Sequence, residues 1–408
     1  MNILVLNSGS SSVKYKLFDM KAETVRAAGL VEQVGERESR ITHRWSTSGN
    51  YYDKRVTQQP VADHRQALKL IGTMLRETEI LADPGRLDGI GHRVVHGGEV
   101  FREPVVITQA VIEVIRDTVS LAPLHNPANL AGVEVALDFA PQVPQVAVFD
   151  TAFHQSLPPH AYLYAIPYEL YEKSHVRRYG FHGISHQYVS RKAARLLNRE
   201  EDSTNLITLH LGNGASATAV RGGRSVDTSM GMTPLAGLMM GTRCGDLDPS
   251  IPFYLEQRNG TQSEQIQALL NQESGLKGIC GISDMRDIER LAREGNERAK
   301  LAIDMYCYHI RKYIGSYLPL LDRLDAVVFT GGIGENSPHI RARCCRGLEH
   351  LGITLDEDRN KKPVDHAIEV QGTSSSSRIL VIRSDEELEI AHQSVALISR
   401  AATGCASL

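Results

Sequence analysis

The sequence predicts an α/β protein with a duplicated core, and three observations carry that expectation. One device occurs twice: an apolar strand, a tight turn of small residues, and a second strand. Its first copy spans residues 3–18 around Asn7-Ser-Gly-Ser-Ser-Ser12, and its second spans 206–220 around Gly212-Asn-Gly214. A third glycine-rich segment, Thr330-Gly-Gly-Ile-Gly-Glu-Asn336, follows the apolar run 326–329. Between these landmarks, strand-like runs alternate with helical periodicities, the pattern of an α/β chain. Small residues at such turns let backbone N–H groups approach an anion closely. Two such hairpins facing each other could hold the phosphates of one nucleotide.

Taken in order, residues 3–18 alternate as a hairpin, with Val13, Tyr15 and Leu17 on one face and Lys14, Lys16 and Phe18 on the other. Asp63 is placed to cap a helix with the apolar stripe Ala67, Leu68, Ile71 and Leu75. A strand over 89–95 follows. Thr108 caps the next helix and turns Val111, Ile112, Ile115 and Val119 inward. Asn126-Pro127 reads as an N-cap and N1 proline opening a helix to about Phe139. A strand over 145–150 ends in Asp150. Pro158, Pro159 and Pro167 break any long helix between 151 and 180. The second hairpin device runs over 206–228, with a turn at Arg221-Gly-Gly-Arg224. Residues 296–321 read as one long helix. Ser337-Pro338 is another N-cap and N1 proline, so the loop 331–336 would deliver the chain to a helix N-terminus. The serine run 372–377 reads as a mobile loop, followed by a strand over 378–383 and a helix over 386–401.

A chain of 408 residues accommodates two domains. The net charge of -3 supplies no excess of cations for nucleic acid or an anionic membrane. No apolar run approaches the roughly 20 residues of a membrane span, and the N-terminus lacks the basic region of a signal peptide. The six cysteines form no C-x-x-C pair, which reads as reduced thiols in the cytoplasm. His182 and His186 stand four apart, as do His92 and His96, without the carboxylate or cysteine partners of a zinc site.

Each candidate functional residue has a bland reading beside the chemical one. The 331–336 loop matches neither G-x-G-x-x-G nor G-x-x-x-x-G-K-[ST], which argues against a Rossmann fold and a P-loop. It is an anion-binding turn or a structural one. Lys14 points to a phosphate or is a solvated strand lysine. Asn7 places an amide oxygen near Mg²⁺ or closes a turn. Arg93, in Gly91-His-Arg-Val-Val-His-Gly-Gly98, and Arg243, in Gly241-Thr-Arg-Cys-Gly-Asp246, sit in glycine-rich loops where a planar guanidinium suits carboxylate and phosphate. Either could instead form a salt bridge. Asp150 ends a strand, where functional carboxylates of α/β folds gather, though a cap role fits equally. His182 stands in the turn Tyr179-Gly-Phe-His182-Gly, as a phosphate donor or a core histidine.

Together, these motifs resemble the acetate kinase family. Leu6-Asn-Ser-Gly-Ser-Ser-Ser-Val-Lys14, Gly91–Gly98, Phe149-Asp-Thr-Ala-Phe-His154, Tyr179–Gly183 and Met240–Asp246 carry the resemblance. So do His210-Leu-Gly-Asn-Gly214, Gly331-Gly-Ile-Gly-Glu335 and Asp385-Glu-Glu-Leu388, all in the family's order from residue 2 to about 395. The resemblance implies two ribonuclease-H-like domains of the acetate and sugar kinase/Hsc70/actin type with an interdomain cleft. The first would span 1–150 plus 387–408 and carry the acetate side. The second, 151–386, would carry most nucleotide loops. It also implies ATP + acetate ⇌ ADP + acetyl phosphate by direct in-line transfer, dependence on Mg²⁺ with Mn²⁺ as a substitute, a cytoplasmic homodimer, and no nucleic-acid or membrane partner.

The family's roles transfer to named positions. Asn7 and Glu386 match the metal site, and Lys14 an ATP contact. His210, Leu211, Gly212, Asn213, Gly214, Asp284, Met285, Arg286, Gly331, Gly332, Ile333, Gly334 and Glu335 match the nucleotide segments. Arg93 and Arg243 match the arginines around acetate and the transferring phosphoryl group. His182 matches the transition-state stabiliser and Asp150 the catalytic acid. Val95, Leu124, Phe181 and Pro234 match the acetate methyl pocket, with His125 beside it. The loop before Asp284 is one residue shorter than the family pattern, and Ala236 stands where that pattern has glutamate. Two other functions remain: a kinase of propionate or butyrate, and an ATP-gated binding module without turnover. The presence of Arg93, Arg243 and His182 argues against the second.

Overall fold

The computed structural model describes residues 1–9, 11–46, 52–123 and 125–402. Its contacts divide the chain into two compact units, Met1–Ala152 with Asp385–Leu408, and Phe153–Ser384. The return to the first unit comes two residues before the expected position 387. Lys16 Nζ donates to Asp385 Oδ1 at 2.8 Å and ties that point to the first sheet.

The strands of the first unit are β1 (Asn2–Ser8), β2 (Ser12–Asp19), β3 (Thr24–Glu32), β4 (Ser39–Trp45), β5 (Asp53–Gln59), β6 (Gly89–Val94), β7 (Val105–Val106) and β8 (Gln145–Phe149). Among the described residues they form one sheet in the order β5-β4-β3-β2-β1-β6-β8-β7. β1 and β2 are the expected hairpin, closed by Gly9 N–H donating to Ser12 O at 2.8 Å. Val13, Tyr15 and Leu17 are buried, as expected of one face. Phe18, on the other face, is buried as well. That face is covered by the helix Glu386–Ala402, which lies on β1, β6 and β8. Gly91 permits the approach, because a methyl group there would stand 2.7 Å from Ile390 Cγ2 and Ser394 Oγ. On the opposite face the helices His64–Glu77 and Asn126–Phe139 bury Ile71, Leu75 and Val135 against Leu4, Leu6 and Tyr15.

The second unit contains β9 (Asn205–Leu211), β10 (Ala215–Arg221), β11 (Arg224–Thr228), β12 (Ala326–Thr330), β13 (Ala367–Glu369) and β14 (Arg378–Ile382). Their order among the described residues is β11-β10-β9-β12-β14-β13. The duplication is explicit. β3-β2-β1-β6-β8 and β11-β10-β9-β12-β14 share one pattern, three antiparallel strands followed by two parallel to the first.

Three local expectations are corrected. Asn126 is the first helical residue, not the cap. Its side chain holds the loop after β6, accepting from His96 N–H at 3.1 Å and donating to His96 O at 2.9 Å. Residues 331–336 are no open loop but the short helix Gly331–Asn336, after which Ser337 caps Pro338–Cys345 as expected. The serine run 372–377 is tied down, with Ser375 Oγ donating to Gly352 O at 2.9 Å and Ser376 N–H to the same oxygen at 3.0 Å. The caps at Asp63 and Thr108 form as the sequence predicts.

Buried imidazoles set a pH limit on this fold. Burial pushes His92 down to about 4, and His43, in contact with Tyr15 and stacked on Trp45, is pushed down to about 4 by burial and by Arg55. Both are neutral when folded and protonate near 6.5 when unfolded, so the unfolded chain binds the extra protons. Stability is therefore intact above about pH 6.5 and falls as pH drops toward 4. At pH 5 the buried His92 contributes a loss of about 2 kcal/mol, and His43 adds a smaller loss of the same sign. Urea midpoints at pH 7 and pH 5 measure this, and equal midpoints would contradict it.

Candidate active site

The chemistry-bearing residues form one constellation in each unit. In the first, the parallel strands β6 and β8 end side by side and present Arg93 and Asp150. Strand ends of this kind are where α/β folds place ligands. Asp150 is buried, and its N–H donates to Val94 O at 3.0 Å. Arg93 Nε donates to Asp150 Oδ1 at 3.2 Å, and its Nη2 donates to Oδ2. Glu386, which opens the C-terminal helix, lies with Oε2 3.8 Å from Arg93 Nε. Burial pushes the Glu386 carboxyl up to about 7, with Asp150 and Glu387 adding to the effect and Arg93 opposing it. For Arg93, burial opposes the charge, but Asp150 and Glu386 raise the pKa and keep the guanidinium ionised.

Lys14 stands across the hairpin from Asn7 in β1. Its Nζ lies 2.5 Å from Glu387 Oε1, and Lys16 Nζ lies 3.1 Å from Glu387 Oε2. Burial resists ionisation of Glu387, yet Lys16 and Lys14 hold its carboxyl down at about 2. Sequence reasoning assigned no role to Lys16 or Glu387. The signal available was their place in motifs, Lys16 sharing a strand face with Lys14 and Glu387 adjoining Glu386. The loop after β6 is held by Asn129, which accepts from Val95 N–H at 2.9 Å and donates to Ser8 O at 2.6 Å.

In the second unit His182 has left-handed backbone, φ 57°, immediately before the helix Gly183–Leu196. Its Nδ1 lies 2.9 Å from Ser216 Oγ, and its ring stacks on His210 at 4.3 Å. Gly214 lets a guanidinium approach this pair: a methyl group there would stand 2.7 Å from Arg243 Nη2 and 3.4 Å from His182 Nε2. Arg243 Nη1 donates to the carbonyl of Pro234 at 2.6 Å. Burial lowers the pKa of Arg243, and among the described residues no carboxylate offsets this.

Next to this group a cavity of about 790 Å³ is lined by Gly212, Asn213, Asp284, Met285, Arg286, Gly332 and Ile333, all expected nucleotide positions. Ser283, Glu289, Asn336 and Ser337 line it as well, which the sequence did not indicate. Asp284 caps the helix Met285–Arg293, and its hydrogen bonds from Arg286, through side chain and backbone, hold its carboxyl down at about 2. Leu211, Gly331 and Gly334 are buried and do not line the cavity. Glu335 does not line it either. Its carboxylate accepts from Gly331 N–H and Ser384 N–H, each at 3.0 Å. His210 and Gly214 belong with His182, and Lys14 with the first unit. Of the residues expected around the acyl group, Val95 and His125 belong to the first unit and Phe181 and Pro234 to the second. Leu124 lies outside the described residues. Val95 and Phe181 are buried, and Pro234 and His125 partly so.

The chain matches the sequence model of the Acetokinase family over residues 2–392. It is 54% identical to an acetate kinase of Syntrophobacter fumaroxidans, over 98% of this chain and 98% of that protein. Among solved structures, the Porphyromonas gingivalis acetate kinase superposes with a TM-score of 0.92 at 42% identity, covering 97% of this chain and 99% of the other. A propionate kinase from Francisella tularensis superposes with a TM-score of 0.90 at 41% identity, over 97% and 99%.

Proposed function

Because this chain belongs to the acetokinase family, we propose that it transfers the γ-phosphoryl group of ATP to acetate, reversibly, giving acetyl phosphate and ADP. It has the two-unit acetate and sugar kinase/Hsc70/actin fold. The observation that carries the reading is Arg243, a partly buried guanidinium that forms no ion pair among the described residues, converging with His182 on Gly214 beside the nucleotide cavity. Such a group is complementary to an anion that arrives with the substrate.

Phosphoryl transfer between two oxyanions needs alignment and charge neutralisation more than covalent help. Acetate is ionised at neutral pH, so the nucleophile needs no strong base. Arg93 holds the acetate carboxylate in line. Arg243 and His182 donate to the equatorial oxygens of the transferring group. Asp150 orients Arg93. Arg93 and Asp150 belong to the first unit; Arg243, His182 and the nucleotide cavity belong to the second.

In the first unit, Glu386 and Asn7 are the residues that would hold a magnesium ion. Glu386 is a mostly buried carboxyl among Asp150 and Glu387 as well as Arg93 and Lys14, and Asn7, the cross-strand partner of Lys14, would add an amide oxygen. Mg²⁺ takes oxygen ligands, commonly one or two carboxylates with waters and substrate phosphates, and Mn²⁺ accepts a similar set. When bound, the ion neutralises charge on the β- and γ-phosphates. A homodimer is supported by the helix Ser250–Asn259, which buries none of its residues and leaves Phe253 63% and Tyr254 59% exposed. Phe253→Asp with Tyr254→Asp is expected to give a monomer in sedimentation, and a parent already monomeric at micromolar concentration removes the dimer. A cytoplasmic placement rests on the reduced-thiol reading of the cysteines, which are free among the described residues; among the described residues no helix is long and apolar enough to cross a membrane.

Hydroxamate trapping of the acyl phosphate with acetate, propionate and butyrate tests the function. The similarity to a propionate kinase keeps a longer acyl substrate as the second reading. Val95 decides between them if its methyls fill the space a longer chain needs. One methylene in an apolar pocket is worth about 1–3 kcal/mol, so acetate should be favoured by roughly tenfold to two hundredfold. Val95→Ala should lower KM for propionate and weaken acetate slightly. Propionate equal to acetate in the parent, or an unchanged ratio in Val95→Ala, would place the enzyme with the propionate kinases.

A further inference from the structure

We infer that Ser216 and His186 are positioning residues that fix a proton on Nδ1 of His182. This rests on the reading of His182 as a donor to the transferring phosphoryl group. The contacts all lie within the second unit. Ser216 Oγ stands 2.9 Å from His182 Nδ1 and 2.8 Å from His186 Nε2, and Ser216 is fully buried on β10. A hydroxyl has one hydrogen to donate. At most one of these two ring nitrogens can therefore accept from it, and the other must bring its own proton.

The far side of His186 points to one of the two. His186 Nδ1 lies 2.7 Å from Thr208 Oγ1, and Thr208 Oγ1 lies 3.5 Å from the carbonyl oxygen of Thr218. That carbonyl oxygen only accepts, so a Thr208 hydroxyl that donates to it is left to accept from His186 Nδ1–H, and this is the direction the proposal takes. Thr208 donates to Thr218 O, His186 Nδ1–H to Thr208, Ser216 to His186 Nε2, and His182 Nδ1–H to Ser216. The sequence requires a His186 with a single proton. Its full burial between two hydroxyls supports that, and burial, with His154 and His210 nearby, lowers its pKa well below the usual range.

The consequence concerns the opposite nitrogen. With Nδ1 occupied, Nε2 is where the ring gains or loses its second proton, and this is the edge that borders Gly214 and Arg243. A ring fixed in this way donates from Nε2 to a phosphoryl oxygen only as the imidazolium. His182 then brings a full positive charge to the transition state, not a neutral dipole. The titratable neighbours are His210 stacked on the ring, His186 beyond Ser216, and Arg243 across Gly214. The anion that would favour the charged ring is the bound nucleotide's phosphate, so the imidazolium is expected when nucleotide is bound.

Long-range proton–nitrogen correlation spectra of protein labelled with ¹⁵N-histidine test the proposal, with His182 assigned by its loss in His182→Gln. In the parent, neutral His182 should carry its proton on Nδ1, and so should His186. With Mg²⁺ and β,γ-methylene-ATP both nitrogens of His182 should be protonated. Ser216→Ala should abolish the Nδ1 preference and lower kcat about tenfold or more, with KM for ATP within about twofold. If Ser216→Ala does not fold, the parent spectra still decide. Neutral His182 protonated on Nε2 in the parent, or a Ser216→Ala protein with spectrum and kcat unchanged, overturns the proposal. Full turnover in His182→Gln would remove the donor reading itself while leaving the tautomer result intact, so the two failures are distinguishable.

Discussion

Arg243→Ala is expected to lower kcat by about a hundredfold or more while leaving the fold unharmed, and Arg93→Ala to match that loss at an added cost in stability. Each removes a charge-assisted contact to an anion in a water-poor site, worth roughly 3 kcal/mol or more, which is about a hundredfold in rate. The surroundings of the two side chains separate the stability outcomes. Arg243 forms no ion pair among the described residues and donates to the Pro234 carbonyl, so its removal strands no carboxylate. Arg93 neutralises the buried Asp150 and stands beside Glu386, so alanine there leaves two carboxyls without their cation. Removing one partner of a buried pair is strongly destabilising. Lysine should rescue neither variant, because an ammonium cannot donate in a planar pair. Steady-state kinetics and thermal melts of the four variants measure this. Near-normal turnover in either alanine variant removes that arginine from the mechanism.

Legibility in the sequence followed the range of the interactions involved. The caps at Asp63 and Thr108 were readable because a cap is a contact between residues three apart. Both hairpins were readable because small residues interrupt two apolar runs. β5 was not, since every one of its residues is exposed and the run carries no apolar alternation. Asn126 was misread because its position before a proline imitates a cap, while its actual bonds go to His96, thirty positions away. The Gly331–Asn336 helix was missed because three glycines in six residues signal a turn, yet Glu335 closes it by accepting from Gly331 N–H. In the site, Arg93, His182 and Arg243 stood out through their glycine-rich settings and Asp150 through its place at a strand end. Lys16 and Asp385 meet across 369 positions of sequence, and nothing local announces such a pair. The same holds for Ser216, one small residue in a strand of small residues, whose importance lies in the two rings that meet it.

Asp150→Asn is expected to lower kcat by about tenfold to a hundredfold, with residual activity whose pH profile parallels that of the parent. The geometry assigns Asp150 to Arg93. Both carboxylate oxygens accept from that guanidinium, one from Nε and one from Nη2, and the side chain is buried behind it. A catalytic base has nothing to abstract here, because the acetate nucleophile has already lost its proton above about pH 5. Asparagine keeps the shape and one acceptor, but turns an amide N–H₂ toward a guanidinium N–H. Two donors facing each other push Arg93 out of line, and a small misplacement of the acetate carboxylate is enough to slow an in-line transfer. The KM for acetate should rise together with the fall in kcat, as expected when the lost group positions substrate. If Asp150 instead removes a proton, the variant has no base, and its residual rate should climb with hydroxide, about tenfold per pH unit, while the parent's does not. A rise of that kind between pH 6 and 8, with KM for acetate unchanged, would return Asp150 to the role of a base. Parallel profiles with a raised KM would keep it as the group that aims Arg93.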